Sequence, residues 1–392
     1  MRRGAGSQTR TDAGACSAAE GEVMTQTAPV ADQAPSGKPS FCDSDGPSQE
    51  AIAAFYDGMK PFWHPVLSEA DLPEHKIVRV ELLGIGIALA RLNGQVVALR
   101  DLCRHFQARL SLGEVIDLDG LQHVMCPYHG WSYGSDGHCK RIPQLLEGRK
   151  IPPNARVDSY KVAIRYGLIW VCLDDEPKFD IPDYPEWGDD TFRTVVMKEE
   201  QPSKTSSIRM IMGTLDDTHF PWVHQGILGS RDEPAAPDHK VWREGQYLVL
   251  QYDVEQPPNL ATTDMSAEGA DKVEKIALRY TDYVGMPNVI RLVKDSDAGR
   301  YVVWLATCPS AYNRTTNFWA FSRNYDMNPG RDSIYEEFSA HVRSQDKPVI
   351  ESQRPWLLPP FWTQIELPLG PADKPLMEFQ RWLEELGIVS GI

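Results

Sequence analysis

Two hydrophobic periodicities divide the chain. From residue 75 to 102 the pattern is that of strands. Ile77-Val78-Arg79-Val80 and Gln95-Val96-Val97-Ala98-Leu99 flank an Asn93-Gly94 turn, a strong hairpin signal. Residues 160–166 and 168–173 make a second strand pair about Gly167, and 50–56 reads as a short helix before them. Residues from about 60 to 173 therefore form a small all-β domain. An acidic, proline-rich connector opens at Asp174-Asp175-Glu176-Pro177 and runs to about Trp187. Beyond it, strand patterns cover 247–254, 275–283, 289–293, 301–307 and 316–321, with helical patterns over 208–226 and 333–347. The expected class is α+β: an all-β domain over 49–173, then a domain over 174–392 with a mostly antiparallel sheet and covering helices. Residues 1–40 contain no Phe, Trp or Tyr. Such a segment cannot bury enough apolar area to offset its ordering entropy, so 1–48 is expected to be a disordered tail, with Met24 as an alternative start.

Charge narrows the function. Forty Lys and Arg stand against 55 Asp and Glu, a formal −15, which argues against a nucleic-acid surface. The longest uncharged apolar run, 82–90, is nine residues, against the ~18 that read as a membrane helix. No apolar segment follows Met1-Arg2-Arg3, so no secretory signal is expected. Seven cysteines, an odd number, suit a reducing cytoplasm with metal sites better than a disulfide scaffold.

Four residues form the first candidate site. Cys103-Arg-His105 is followed, after 20 intervening residues, by Cys126-Pro-Tyr-His129-Gly-Trp131. Each loop offers one thiolate and one imidazole. This mixed pairing suits a two-iron cluster in which one iron takes both sulfurs and the other both nitrogens, which raises the potential. Zinc also takes two Cys and two His, but zinc fingers usually pair Cys with Cys and His with His. Cys139, beside His138, is a further thiol near the set but follows the turn at Gly134-Ser-Asp-Gly137.

The second set is more dispersed. Residues 215–224 read Leu-Asp216-Asp217-Thr-His219-Phe-Pro221-Trp-Val-His224. Five residues of regular helix rotate ~500°, which leaves the two imidazoles ~140° apart, so they converge only if the helix breaks between them. Pro221 supplies a cause. Further on, Ser333-x-x-Glu336 reads as a capping box. Ile334, Phe338 and Val342 then mark a buried face, and Asp346 is the next member of that series. A carboxylate continuing an apolar stripe is costly unless paired or bound to metal. Pro348 ends or kinks the helix beyond it. Two His and one carboxylate form the facial set of non-haem Fe(II) oxygenases. The bland reading is two ordinary histidines at a helix end and an exposed acid.

The first motif, with Leu110-Ser-Leu-Gly113 between its halves, resembles the Rieske [2Fe–2S] domain of ring-hydroxylating oxygenases. Asp216-x-x-His219-x-x-x-x-His224 with a late Asp346 in a Gln-Asp-Lys-Pro context is similar to the catalytic domain of the same family, so the resemblance covers about 60–355. Phe106 stands where the family usually has Arg, the segment around 117–120 is longer, and Gly213 replaces a frequent Asn. The resemblance implies a helix-grip-like catalytic domain, a cluster on Cys103, His105, Cys126 and His129, and a mononuclear Fe(II) on His219, His224 and Asp346. It also implies that Asp216 bridges to a Rieske histidine of the next subunit in a homotrimer. Asp217 could substitute, but Asp216 has the family spacing. The implied function is a terminal oxygenase that takes electrons from a separate NAD(P)H reductase, directly or through a ferredoxin. It would insert O₂-derived oxygen into a small aromatic substrate. Two other readings stay open: a Rieske electron carrier without oxygenase activity, and a zinc-stabilised binding protein. Trp222, Tyr280, Trp304, Phe318 and Trp319 are candidate pocket aromatics, although each also suits a core.

Overall fold

The computed structural model describes residues 46–198, 201–266 and 274–388. The expected tail and the alternative start at Met24 lie outside the described residues, except for 46–48. Helix α1, Gln49–Met59, begins where Ser48 Oγ accepts the Ala51 N–H at 3.1 Å, and it buries Ala51, Phe55 and Met59, one residue per turn.

Two antiparallel sheets follow. A six-stranded sheet runs, in spatial order, His64–Ser68, Leu168–Cys172, Ser159–Arg165, Gln95–Arg100, Ile85–Leu92 and Ile77–Leu82. A four-stranded sheet runs Glu114–Leu118, Leu121–Met125, Ser132–Tyr133 and Cys139–Arg141. The Asn93-Gly94 turn is present, but it joins Gln95–Arg100 to Ile85–Leu92, and the strand at Ile77–Leu82 is one step further away. The middle strand hides in the nine-residue apolar run because both its faces are covered. Ile87 and Leu89 join the main core, whereas Ala88, Ala90 and Leu92 join the core behind Cys103 and Cys126.

The larger sheet has seven antiparallel strands: Arg193–Met197, Arg314–Arg323, Gly299–Ala311, Val289–Ser296, Ile276–Gly285, Tyr247–Gln256 and Lys240–Glu244. One face packs Val289, Val293, Val302 and Trp304 against the connector, where Tyr184 stacks on Trp304 at 5.1 Å. The other face, with Leu248, Leu250, Tyr280, Ile290 and Leu305, packs against the helices. Helix α2 is Ser207–Leu215, α3 is Phe220–Val223, α4 is Asp332–Ser352, and α5, which carries no expectation from sequence, is Lys374–Glu385.

Three helix expectations are corrected. The 208–226 pattern is two helices, and the break lies at Asp216–Thr218 rather than at Pro221. Pro221 sits in the first turn of α3, where a missing N–H costs nothing. Helix α4 does not start with the Ser333/Glu336 box. It begins at Asp332, whose carboxylate takes Arg193 and Arg323. Pro348 does not end α4, which continues to Ser352 and forgoes one backbone hydrogen bond. Of the expected stripe, Ile334 is exposed, and Tyr335 is the buried residue of that turn.

Candidate metal centres

Tight loops carry the first set. The loop after Gln95–Arg100 is pinned by Cys103 N–H to Ala108 O at 2.8 Å and Gln107 N–H to Cys103 O at 2.9 Å. The second loop is pinned by Cys126 N–H to Trp131 O at 2.8 Å and Gly130 N–H to Cys126 O at 3.1 Å, with Gly130 at φ 74°. The two cysteines end buried side by side, and the two histidines end partly exposed, ring centroids 4.7 Å apart. His105 stacks flat on Trp131 at 4.6 Å, and its Nδ1 is buried with no hydrogen-bond partner. An orphaned ring nitrogen beside a buried thiol pair fits a metal-bound group. Burial pushes the Cys103 thiol up, and the adjacent Cys126 adds to this. Tyr133 Oη accepts the Arg104 N–H at 3.1 Å and is hydrogen-bonded to Cys103 Sγ, also 3.1 Å away. The Cys139 thiol donates instead to Arg141 O at 3.2 Å.

The second set forms at the helix break. Asp216 leaves α2 with extended backbone (φ −70°, ψ 130°), and its Oδ1 accepts the Thr218 N–H at 2.9 Å and Oγ1–H at 2.7 Å. This local turn competes with helix and ends it. His219 and His224 then bracket α3, with Nε2 atoms 3.2 Å apart. Asp346 Oδ1, from α4, lies 3.4 Å from His219 Nε2 and 2.9 Å from His224 Nε2. The other ring nitrogens are occupied. His219 Nδ1 donates to Asp216 Oδ2 at 3.2 Å, and His224 Nδ1 donates to Gln345 Oε1 at 2.8 Å. Both Nε2 atoms therefore face the gap that the carboxylate also faces, a donor set that suits a divalent cation. Burial disfavours a charged His219, but Asp216 and Asp346 outweigh it and raise the imidazole to about 9. Partial burial pushes both carboxyls up, yet their histidine partners hold them below the usual range.

Asp217 is committed elsewhere: its carboxylate takes His239 Nε2 at 3.0 Å in a buried pair. Asp216 therefore has the position that Asp217 might have taken. Gly213 packs on α4, where a Cβ would lie 2.7 Å from Ile350 Cδ1, so an Asn there would require Ile350 to move. A cavity of ≈ 90 Å³ opens on His219, His224 and Asp346, and one of ≈ 210 Å³ adjoins it across Arg343 and Asp346. Of the five candidate aromatics, Trp319 lines both cavities. Trp304 is packed on the opposite sheet face, Tyr280 stacks on Tyr252, Trp222 is exposed, and Phe318 is half-buried against the core.

Comparison with known proteins identifies the fold. Residues 62–161 match the family described as Rieske [2Fe-2S] domain, and 209–387 match the vanillate O-demethylase oxygenase C-terminal domain. The chain belongs to the Rieske non-haem iron oxygenases. It is similar to the methylxanthine N3-demethylase NdmB of Pseudomonas putida, 30% identical over 84% of this chain and 90% of that protein. It is also similar to the N1-demethylase NdmA of the same organism, 31% identical over 84% and 89%. The solved NdmB structure superimposes with a TM-score of 0.72 at 28% identity, covering 85% of this chain and 92% of that one. The dicamba-bound form of dicamba monooxygenase shares the fold at a TM-score of 0.67 and 21% identity, covering 84% and 97%. As a Rieske oxygenase, the chain is an oxidoreductase, a terminal oxygenase with a Rieske domain ahead of an antiparallel catalytic domain. No helix among the described residues is long and apolar enough to cross a membrane.

Sequence reasoning missed the groups behind the ligands: Tyr133 at Cys103, Trp131 under His105, and Gln345 at His224. Gln345 stood beside Asp346 in the motif, and only its place one residue earlier on α4 marked it.

Proposed function

We propose that His219, His224 and Asp346 hold a mononuclear Fe(II), that Cys103, His105, Cys126 and His129 ligate the cluster, and that the substrate is a small aromatic or heteroaromatic molecule. The observation that carries this reading is the convergence of the three donor atoms on one side of a cavity, with each imidazole fixed by an acceptor behind it. Bound there, the iron would offer an open face for dioxygen, while the cluster supplies reducing equivalents. The chain's own residues do the positioning. Asp216 and Gln345 fix the tautomer and direction of the two rings, and Phe220, Leu228 and Val342 exclude water from the cavity. Tyr133 is hydrogen-bonded to a cluster sulfur.

The N-demethylase activity of the relatives supports mono-oxygenation over dihydroxylation. We assign Asp216 the link to a cluster histidine of a neighbouring copy in a homotrimer. It is a positioning residue already bonded to His219, with part of its side chain exposed. Electrons come from a separate NAD(P)H reductase, directly or through a ferredoxin. The buried free thiols Cys139, Cys172 and Cys308 support a reducing, cytoplasmic setting. We divide the chain after Leu173 into a Rieske part and a catalytic part.

Iron analysis of fully metallated protein tests the reading. An oxygenase holds about three irons per chain, and an electron carrier about two. Asp346→Ala should bring the count from about three to about two, keep the cluster's visible spectrum and abolish oxygenation. Turnover that survives this substitution would reject the ligand set.

A further inference from the structure

The strand Val289–Ser296 turns Ile290, Leu292 and then Lys294 toward the helices, so a lysine continues an apolar stripe. Lys294 is only 6% exposed and lines the cavity that His219, His224 and Asp346 also line. A buried ammonium ordinarily finds a hydrogen-bonded partner. Among the described residues this one has none: its Nζ lies 5.2 Å over the Tyr280 ring, and no hydrogen bond or ion pair holds it. The nearby acid on the same sheet face is Asp282, diagonal to Lys294 across the strand pair. Asp282 is itself buried, with one carboxyl oxygen unpartnered. Burial and the Asp217 carboxylate push it well up, toward the neutral acid. No hydrogen bond or ion pair joins it to Lys294. Burial lowers Lys294 to about 8 against the pull of Asp282. Arg343, stacked on Trp319 at 5.3 Å, adds a second cation to the cavity lining. The remaining lining includes Phe220, Leu228, Leu292, Val303, Phe338 and Val342, which suit a ring.

We propose that Lys294 is the substrate anchor of this oxygenase: its side chain, part of the lining of the cavity at His219, His224 and Asp346, binds a carboxylate carried on the substrate's aromatic ring. The inference rests on the oxygenase reading and narrows its substrate class to ring carboxylates. It involves no covalent step. The carboxylate supplies the partner that the fold leaves out, and the apolar lining takes the ring.

The test uses metallated, cluster-containing protein and calorimetric titration with a panel of benzoates, naphthoates and pyridine carboxylates, each beside its primary amide. Wild-type protein should bind at least one acid more tightly than its amide. Lys294→Met should weaken that acid by about 30-fold or more while the amide stays within about two-fold, and Lys294→Arg should recover part of the loss. A lysine with a merely structural role would leave the acid-over-amide ratio unchanged in Lys294→Met. The proposal is overturned by that result, by amides binding as well as acids, or by no panel member binding. Iron content and the cluster spectrum, measured on the same samples, report folding of each variant. They also separate the two failures: about three irons with no acid preference sinks the anchor alone, whereas two irons sinks the oxygenase reading beneath it.

Discussion

Gln345 offers a sharp test of how the mononuclear site is built, because it touches only one ligand and does so away from the metal gap. Its Oε1 accepts the Nδ1–H of His224 at 2.8 Å, and His224 is 1% exposed. In Gln345→Leu the volume is nearly kept and the acceptor is lost. Water has little access to replace it, so a buried donor is left unsatisfied, which costs about 1–3 kcal/mol, or roughly 5- to 150-fold in an equilibrium constant. The ring also loses the constraint that turns its Nε2 toward Asp346. Such outer acceptors are typically worth about 10–100-fold in metal affinity, a range that overlaps the first. Gln345→Glu keeps an acceptor in place and adds charge, which makes the imidazole a stronger donor and should hold iron at least as tightly as wild type. The assay is anaerobic competition between the protein and a chromogenic Fe(II) chelator, with the cluster absorbance as an internal standard. Gln345→Leu should lose mononuclear iron about 10–100-fold more readily while the cluster band is unchanged. An iron affinity within about two-fold of wild type would show that packing alone fixes His224, and the argument from the hydrogen bond would fail.

Other substitutions address separate links. Asp216→Asn should leave iron content near normal but slow single-turnover reoxidation of the reduced cluster; an unchanged rate removes Asp216 from the transfer route. Tyr133→Phe deletes the O–H hydrogen-bonded to Cys103 Sγ, so the cluster midpoint potential should become more negative, and redox titration followed in the visible region reads this. His64 is fully buried, with Nε2 donating to Met59 O at 2.9 Å and Nδ1 accepting from Asn288 at 3.0 Å. Burial lowers it to about 4 from 6.5, against the opposing Met59 carbonyl. Its neutral form therefore contributes stability that is complete above pH 6.5 and falls away as the pH drops toward 4, about 3 kcal/mol in all. His64→Gln should flatten the acid side of the Tm–pH curve, and an unaltered acid slope would refute this.

How far the chain could be read in advance follows from how local each signal is. Cys103-x-His105 and Cys126-x-x-His129 sit in loops a few residues long, so their spacing alone brings each pair close, and the fold sets the two histidine rings 4.7 Å apart. The hairpin turn at Asn93-Gly94 is local in the same sense. The strand entering it was misassigned because Ile85–Leu92 is covered on both faces and shows no alternation. A helix break was expected between His219 and His224, but it lies before His219 and has another cause. Pro221 draws the eye, but the Asp216 side chain, by bonding to Thr218, is what turns the chain. Asp216 and Asp217 could not be separated by sequence because the distinction depends on which way each faces after that turn. Only the fold places His239, 22 residues on, against Asp217.

A single physical rule nevertheless links the residues that matter most around the cavity. Each is a charged group in an apolar or buried place, and each must therefore have found a partner or be waiting for one. Asp346 follows Phe338 and Val342 on α4, and its oxygen faces two imidazole nitrogens. Asp217 is buried next to the helix break and is satisfied by His239. Lys294 follows Ile290 and Leu292 and has only the face of an aromatic ring. Applied to α4 alone, the rule singled out Asp346 among the chain's 55 acids. Applied with the same weight to the strand Val289–Ser296, it would have singled out Lys294 too, since the alternation Ile290, Leu292, Lys294 is as plain in the sequence as the four-residue step on the helix. The sequence lacked only the register that sets this strand's inward face against the metal site.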